Sequence, residues 1–169
     1  EYTSWKSNEE KNRNFKNLLK AQKEYGWNLL LNENDTISLD GNKIKIIGVE
    51  NWASSRFQQY GDLDKAYNGL NNEDFKILMT HNPSHLNAKV TDAYNDIDLT
   101  LSGHTHGLQY GIDIGDFRIS PVRLAYKQWA DLYELNKQYI YVNRGFGFMG
   151  YPGRVGILPE ITILELKKS

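Results

Sequence analysis

The sequence predicts an α/β fold in which helices alternate with the strands of a mixed sheet. Three features indicate this class: a long amphipathic pattern near the start, two apolar runs around a tight Asp-Gly turn, and three later apolar runs that end in polar residues. The chain has 169 residues, of which 40% are hydrophobic and 24% charged. This is the size and composition of one globular domain, so we expect residues 1–169 to fold as a single domain.

The first predicted element is a helix over residues 7–25. Ser7 and Glu10 match a capping box, in which the two side chains bond early backbone N–H groups of the helix. Gly26 supplies the stop. Between these ends, apolar residues fall on one face at helical spacing: Phe15, Leu18, Leu19 and Tyr25.

Shorter elements come after the helix. Residues 27–31 form an apolar run that we expect to be a strand. Residues 36–39 and 43–49 flank Asp40-Gly41-Asn42, whose Asp-Gly pair is a strong hairpin signal. The remaining minor predictions are a short helix over residues 62–70, loop with some helix over residues 110–135, and a terminal strand over residues 161–166.

Three apolar runs lead directly into side chains that can do chemistry. Residues 75–80 end at His81, residues 97–102 end at Gly103-His104-Thr105-His106-Gly107, and residues 139–142 end at Asn143-Arg144. In open α/β sheets, ligands bind beyond the carboxyl ends of the strands. We therefore expect the functional site at these three strand ends.

Charge and cysteine content narrow the function classes. The formal net charge is -1 and the pI is near 6.5, so no basic field favours nucleic acid or an anionic membrane. No run approaches the roughly 18 apolar residues that cross a bilayer. The chain has no cysteine, so any metal must be bound by histidine, carboxylate or amide ligands.

All the histidines lie between residues 81 and 106. Imidazole is a common ligand for Zn, Mn, Fe and Ni. The glycines on both sides of His104-Thr105-His106 free the backbone for a turn that brings the rings close to metal ions. A strand-end histidine is more often a satisfied polar group than a ligand, and spacing alone leaves both interpretations open. For His85 a packing role is favoured, and Arg144 is either a structural ion-pair partner or a substrate contact.

Two segments resemble the last two metal motifs of the calcineurin-like metallophosphoesterases. They are residues 77–83, which contain His81-Asn82-Pro83, and residues 101–109, which contain Gly103-His104-Thr105-His106-Gly107. The closest branch often carries Gly-His-Thr-His-Gly-Gly-Gln, so Leu108 departs from that pattern while Gln109 matches it. Residues 48–52, 141–145 and 159–162 also look like this branch, so the likeness runs through most of the chain.

The resemblance implies the C-terminal half of an αββα sandwich, in which two sheets are flanked by helices. It also implies a phosphoesterase whose site holds two divalent transition-metal ions bridged by a carboxylate. Carried over to the matching positions, His81 and His104 would bind one ion and His106 the other, with Thr105 as a spacer. Asn143 and Arg144 are candidate residues for binding the phosphoester substrate. Ligands of this kind do not discriminate among Mn, Fe, Zn and Ni.

Further motifs of the family are missing here. Asp-x-His does not occur, nor does an Asn-His that supplies an amide ligand and the general acid, and no Gly-Asp lies where the family has the one that supplies the bridging carboxylate. Gly61-Asp62 and Gly115-Asp116 fall in the wrong order and are predicted as turns. In the family, Asn-His-Asp-Tyr precedes a segment like residues 1–5. We therefore expect the general-acid histidine and the bridging aspartate upstream of Glu1, and we expect the chain alone to be inactive.

Other interpretations stay open. One is a non-catalytic interaction or assembly module whose aromatic surface includes Trp5, Trp27, Trp52 and Trp129. Another is a mononuclear site at which the three histidines of the motifs converge on one ion. Because half a sandwich leaves a strand edge and an apolar face open, we also expect self-association, or dependence on the N-terminal half. Relatives in this branch often carry N-terminal membrane-anchoring or export segments, so the compartment is not predicted.

Overall fold

The computed structural model describes residues 7–53 and 59–167, which form a six-stranded mixed sheet and a separate two-stranded hairpin. The strands are β1 (Glu33–Leu39), β2 (Asn42–Gly48), β3 (Phe75–Met79), β4 (Leu99–Ser102), β5 (Ile112–Ile114), β6 (Phe117–Ile119), β7 (Asp131–Leu135) and β8 (Gln138–Val142). The α-helices are α1 (Asn8–Glu24), α2 (Leu63–Tyr67) and α3 (Thr91–Ala93). A π-helical turn (Leu86–Val90), a short left-handed turn (His106–Gln109) and a 3₁₀ turn (Pro121–Leu124) complete the set. Within these ranges, no helix has the length and apolar character needed to cross a membrane.

The large sheet has the strand order β1-β2-β3-β4-β8-β7. The four central strands are mutually parallel, and the two edge strands pair antiparallel with their neighbours. Ile47, Leu78, Thr100 and Ile140 are aligned across these strands, so their side chains share one face of the sheet. The predicted α/β class with a mixed sheet is confirmed.

The main hydrophobic core covers that face of the sheet. Its buried residues come from β2, β3, β8, α2 and the chain from the π-helical turn to the start of β4: Ile47, Leu63, Ala66, Leu78, Leu86, Val90, Tyr94, Ile97, Ile140 and Val142. A second, smaller cluster lies under the loops that precede β7 and follow β8, and consists of Val122, Trp129, Ala130 and Ile157. The second cluster packs directly beneath the histidine loop, because a Cβ added to Gly107 would lie 2.8 Å from Ile157 Cγ2.

The local signals at the start of the chain are confirmed. Helix α1 begins after Ser7, whose Oγ accepts a hydrogen bond from the Glu10 backbone N–H at 3.2 Å, and its C-cap is Tyr25. The β1–β2 hairpin turns at Asp40 and Gly41, whose φ values of 49° and 77° are typical of the type I′ turn that Asp-Gly favours. The predicted helix after residue 62 and the strands before the three site loops are also present.

Several sequence predictions are wrong. Residues 27–31 are not a strand, because both edges of β2 are occupied by β1 and β3. This segment instead crosses the end of β2 so closely that a Cβ added to Gly48 would lie 2.4 Å from Leu30 Cβ. Residues 161–166 pair with no strand in the described ranges, and a strand needs such a neighbour to satisfy its backbone. Residues 110–135 contain β5, β6 and β7 as well as a 3₁₀ turn. Gly115-Asp116 is a turn as predicted, whereas Asp62 instead caps α2.

Candidate metal centre

The site lies where three parallel strands end side by side. β3, β4 and β8 are adjacent, so the loops that come after them leave the same edge of the sheet. The Gly103 N–H donates to the His81 carbonyl at 3.0 Å, and the Asn143 N–H donates to the Ser102 carbonyl at 2.8 Å. These backbone bonds continue the sheet ladder for one step and hold the three loops in register.

His81 and His104 form a close pair in this site. Their ring centroids are 5.2 Å apart in an edge-on arrangement. The His104 Nε2 atom lies 2.9 Å from the hydroxyl of Tyr126, and the amide of the buried Asn82 donates to the same hydroxyl at 3.5 Å. When Nε2–H donates to Tyr126, Nδ1 of His104 presents a lone pair, which is the way an outer partner commonly orients a metal-binding histidine.

The loop that carries the other histidine has an unusual backbone. His104 has a φ of 68°, and His106, Gly107, Leu108 and Gln109 have φ values of 50°, 56°, 54° and 58°. Four consecutive residues therefore form a single left-handed turn, although L-residues pay roughly 1–2 kcal/mol each for this conformation. Such strain persists only where the surroundings determine the conformation, and it is concentrated at functional sites.

Buried hydroxyl groups fix the inner side of this turn. The Thr105 hydroxyl donates to the Trp129 carbonyl at 2.7 Å and accepts from the Gly107 N–H at 3.3 Å. The Ser120 hydroxyl donates to the Gly107 carbonyl at 2.8 Å. Thr105, which the resemblance treats as a spacer, thus ties the histidine loop to the second core cluster.

Gln109 fixes the outer side of the turn. Its amide nitrogen donates to the carbonyls of Tyr151 and Gly153, both at 2.7 Å, and its amide oxygen accepts a hydrogen bond from the Met149 N–H. The side chain is buried, so all three bonds are shielded from water. The glutamine that matches the family motif therefore joins the histidine loop to the loop after β8.

His106 lies beside the loop after β8. Its Nδ1 atom is 3.4 Å from Nη2 of Arg154, and an added Cβ at Gly145 would lie 3.8 Å from its Cε1. Within residues 7–53 and 59–167, no three His, Asp or Glu side chains are grouped closely enough to hold a metal ion. The imidazoles fit a borderline transition metal in chemistry, but the described residues do not complete a coordination sphere. This finding also disfavours the alternative of one ion bound by all three histidines.

Asn143 and Arg144 lie in the loop after β8, and both have partners within the protein. The Asn143 amide donates to Thr162 Oγ1 at 2.9 Å and accepts from the Gly145 N–H at 2.6 Å. Arg144 Nε donates to Glu160 Oε2 at 2.6 Å, and its Nη1 forms an ion pair with Asp113. Their assignment as substrate-binding residues stays a prediction, and these contacts favour the structural interpretation of Arg144.

The ion pairs of Arg144 stay charged despite their burial. Burial raises the pKa of both Glu160 and Asp113. Hydrogen bonds from Thr162, Tyr141 and Arg144 outweigh this effect at Glu160 and hold its pKa below the usual range. Hydrogen bonds from Arg144 and Arg118 do the same at Asp113. Burial lowers the pKa of Arg144, but the same two carboxylates raise it above its usual value. The network is therefore a fixed set of charges that holds the loop after β8.

His85 has the packing role that the sequence favours. It is fully buried, its ring stacks on Trp52 with centroids 4.4 Å apart, and its Nδ1 lies 3.0 Å from Thr80 Oγ1. Burial, with a smaller contribution from the charge of Lys89, lowers its pKa to about 4. His85 is therefore a neutral core histidine.

Two residues near the histidines were missed by the sequence analysis. Tyr126 lies in the segment that had no clear periodicity, so nothing in the sequence placed its hydroxyl at His104. Arg154 lies in a glycine- and proline-containing loop, where no repeating pattern indicates which side chain turns toward His106. Both contacts depend on how separate loops pack together, which local sequence does not encode.

Comparisons with known proteins identify the family of this chain. The calcineurin-like phosphoesterase family profile matches residues 2–108, more than half of the chain. The uncharacterized metallophosphoesterase YkuE of Bacillus subtilis is 33% identical over 157 residues, which cover 92% of this chain and 51% of that protein. The uncharacterized metallophosphoesterase Cj0846 of Campylobacter jejuni is 37% identical over 148 residues, which cover 86% of this chain and 36% of the relative.

A third relative comes from an animal. The transmembrane protein with metallophosphoesterase domain of Bos taurus is 33% identical over 152 residues, which cover 83% of this chain and 32% of that protein. The chain thus spans about half, or less, of the length of these relatives. No solved structure gives a significant match. The profile match and the relatives together show that the chain belongs to the calcineurin-like phosphoesterase family.

Proposed function

We propose that this chain supplies part of the active site of a metal-dependent phosphoesterase that hydrolyses phosphoric ester bonds. The observation that carries the proposal is the convergence of three parallel strand ends that places His81 and His104 side by side, with His106 on the same loop as His104. Family membership supports the reaction class. Two bound divalent ions would polarise the phosphoryl group and supply an activated water.

The residues of this chain have distinct parts in the proposed site. His81 and His104 would bind one ion and His106 the other, and Mn, Fe, Zn and Ni all suit such donors. Tyr126 fixes the orientation of His104 through its hydroxyl. The described residues hold no complete ligand group, so we propose that the bridging carboxylate and the general acid come from another part of the domain. Neutral histidines alone would not offset the repulsion between two cations about 3.5–4 Å apart.

The test uses the full-length protein loaded with Mn and two chromogenic substrates, a phosphate monoester and a phosphate diester. His104→Ala and His106→Ala should each abolish hydrolysis and lower the bound metal measured by elemental analysis. The matched control is His85→Gln, which removes a histidine from the same part of the chain and should keep the wild-type metal content and turnover. Full activity in both alanine variants would contradict the proposal.

A second candidate is a non-catalytic assembly module that acts through an apolar surface. Ile161 and Ile163 are 83% and 93% exposed and pair with no strand in the described ranges. By contrast, the predicted aromatic surface is divided: Trp27 is exposed, Trp129 is buried, Trp52 stacks on His85, and Trp5 lies outside the described residues. Light scattering of the 169-residue chain at micromolar concentration tests it. We expect self-association that Ile161→Ser/Ile163→Ser weakens, and a monomer in both cases would exclude self-assembly through these residues.

A further inference from the structure

Arg154 is held beside the candidate metal centre by neutral groups. Its Nη2 donates to the carbonyls of Gly147 at 2.7 Å and of Arg144 at 2.9 Å, and its Nε donates to the Gly147 carbonyl at 3.2 Å. Its Nη1 reaches the His106 carbonyl at 3.5 Å, and its Nη2 lies 3.4 Å from His106 Nδ1. The guanidinium is thus fixed in position without being neutralised.

The neighbouring Arg144 shows the opposite arrangement. Its charge is balanced by ion pairs with Glu160 and Asp113, and its side chain is 12% exposed. For Arg154, no carboxylate within the described ranges lies within 4.0 Å of the guanidinium, whose partners there are carbonyl oxygens and an imidazole nitrogen. The two arginines therefore differ in kind: one closes an internal ion network, and the other carries a net positive charge at the histidine loop.

A guanidinium stays protonated under all ordinary conditions, so Arg154 carries a full positive charge beside His106. A bound anion would supply the negative partner that the carbonyl groups around it do not.

We infer that Arg154 is a substrate-binding residue that contacts a non-bridging oxygen of the phosphoryl group beside His106. This inference rests on the proposed phosphoesterase function and assigns the anion contact to Arg154 in place of Arg144. Guanidinium suits the task because its planar array of N–H donors matches the oxygens of a phosphate. Nη1 is the edge available for this contact, since its one hydrogen bond within the described residues is the long bond to the His106 carbonyl.

Arg144 then acts as a positioning residue for Arg154. The Arg144 side chain is fixed by its ion pairs with Asp113 and Glu160. The Arg144 backbone carbonyl accepts one of the hydrogen bonds that hold the Arg154 guanidinium. The prediction that the Asn143-Arg144 loop faces substrate is thereby refined: the loop supplies the carbonyl cradle, and an arginine ten residues later supplies the charge.

The test is calorimetric titration of the full-length protein with inorganic phosphate, in the presence of Mn and again with a chelator. Arg154→Gln should weaken phosphate binding about tenfold to a hundredfold, as expected for loss of a hydrogen bond between charged groups, and should raise the KM for a phosphate monoester. Arg154→Lys should recover part of the lost affinity, since lysine restores the positive charge but not the planar array of N–H donors. Arg123→Gln is the matched control, because Arg123 is exposed on the 3₁₀ turn that precedes β7. The affinity of this variant for phosphate should equal that of the wild-type protein.

A second measurement keeps the wild-type protein intact, because Arg154 bonds three carbonyls and its replacement could disturb the loop. Arginine-selective dicarbonyl modification, read by peptide mass spectrometry, should show that phosphate protects Arg154 and leaves Arg123 unprotected. Equal protection of both arginines, or wild-type phosphate affinity in Arg154→Gln, would overturn the inference. A protein without hydrolase activity whose phosphate binding still depends on Arg154 would overturn the proposed function and leave the anion contact standing.

Discussion

Leu108 offers a direct test of the left-handed turn in the histidine loop. The related branch often has glycine at this position, and here a leucine has a φ of 54°. Leu108→Ala and Leu108→Gly both remove the side chain beyond Cβ, so the two variants differ only in Cβ. A Cβ in this region costs roughly 1–2 kcal/mol, and the greater freedom of glycine in the unfolded state costs roughly 0.5–1 kcal/mol. The glycine variant should therefore unfold with a free energy about 0.5–1 kcal/mol higher than the alanine variant.

Leu124 provides a control at which alanine, and not glycine, should be the more stable replacement. It is 90% exposed and ends the 3₁₀ turn Pro121–Leu124, where its φ is not in the left-handed region. At such a position glycine is less favourable than alanine by roughly 0.5–1 kcal/mol. The order of stability of the two variants should therefore reverse between Leu124 and Leu108.

Urea unfolding monitored by circular dichroism and tryptophan fluorescence measures these differences. Free energies should be compared at a common m-value, since neither pair of variants changes the surface exposed on unfolding by much. The reasoning fails if alanine is at least as stable as glycine at position 108, or if both positions favour the same residue. Alanine favoured at position 108 would mean that the turn is not left-handed there or that it relaxes without cost. Glycine favoured at both positions would mean that the difference between the variants does not report on φ.

Two further predictions concern the site and the core beneath it. Tyr126→Phe removes the hydroxyl that contacts His104 and should lower the affinity of the full-length protein for Mn about tenfold to a hundredfold. A competition assay with a metal-binding dye measures this affinity, and an unchanged value would show that the contact does not orient His104. His85 has a folded-state pKa of about 4 against an ordinary value of 6.5, so the unfolded state binds the extra proton first and stability should fall as the pH drops through this window. The loss should reach about 3 kcal/mol by pH 4, and His85→Gln should lack that component; identical pH profiles for the two proteins would contradict the assignment.

The parts of the fold that the sequence predicted are those fixed by local signals. The cap at Ser7, the turn at Asp40-Gly41 and the apolar runs before the histidines each encode their structure within a few residues. Residues 161–166 have the composition of a strand, but pairing depends on a neighbour elsewhere in the fold, which their own sequence does not reveal.

The candidate site likewise has features that the sequence predicts and features that it does not. Strand ends that lead into histidine or asparagine could be recognised from the sequence, because the parallel arrangement brings such ends together. The different roles of Arg144 and Arg154 could not, since both are arginines in glycine-rich loops. Only the positions of Glu160 and Asp113 in space distinguish the neutralised guanidinium from the one that keeps its charge.

The position of β8 has a consequence for synthesis of the chain on the ribosome. β8 lies between β4 and β7 in the sheet, yet it comes after both in the sequence. While residues 103–137 emerge, β4 is an open parallel edge, and the loop that carries His104 and His106 has no neighbouring β8 to hold it. Until β8 is made, this edge is open to wrong pairing, and a chaperone that covered it would protect the nascent chain. Glu160 is made later still, which means that the cradle around Arg154 is among the last parts of the chain to form.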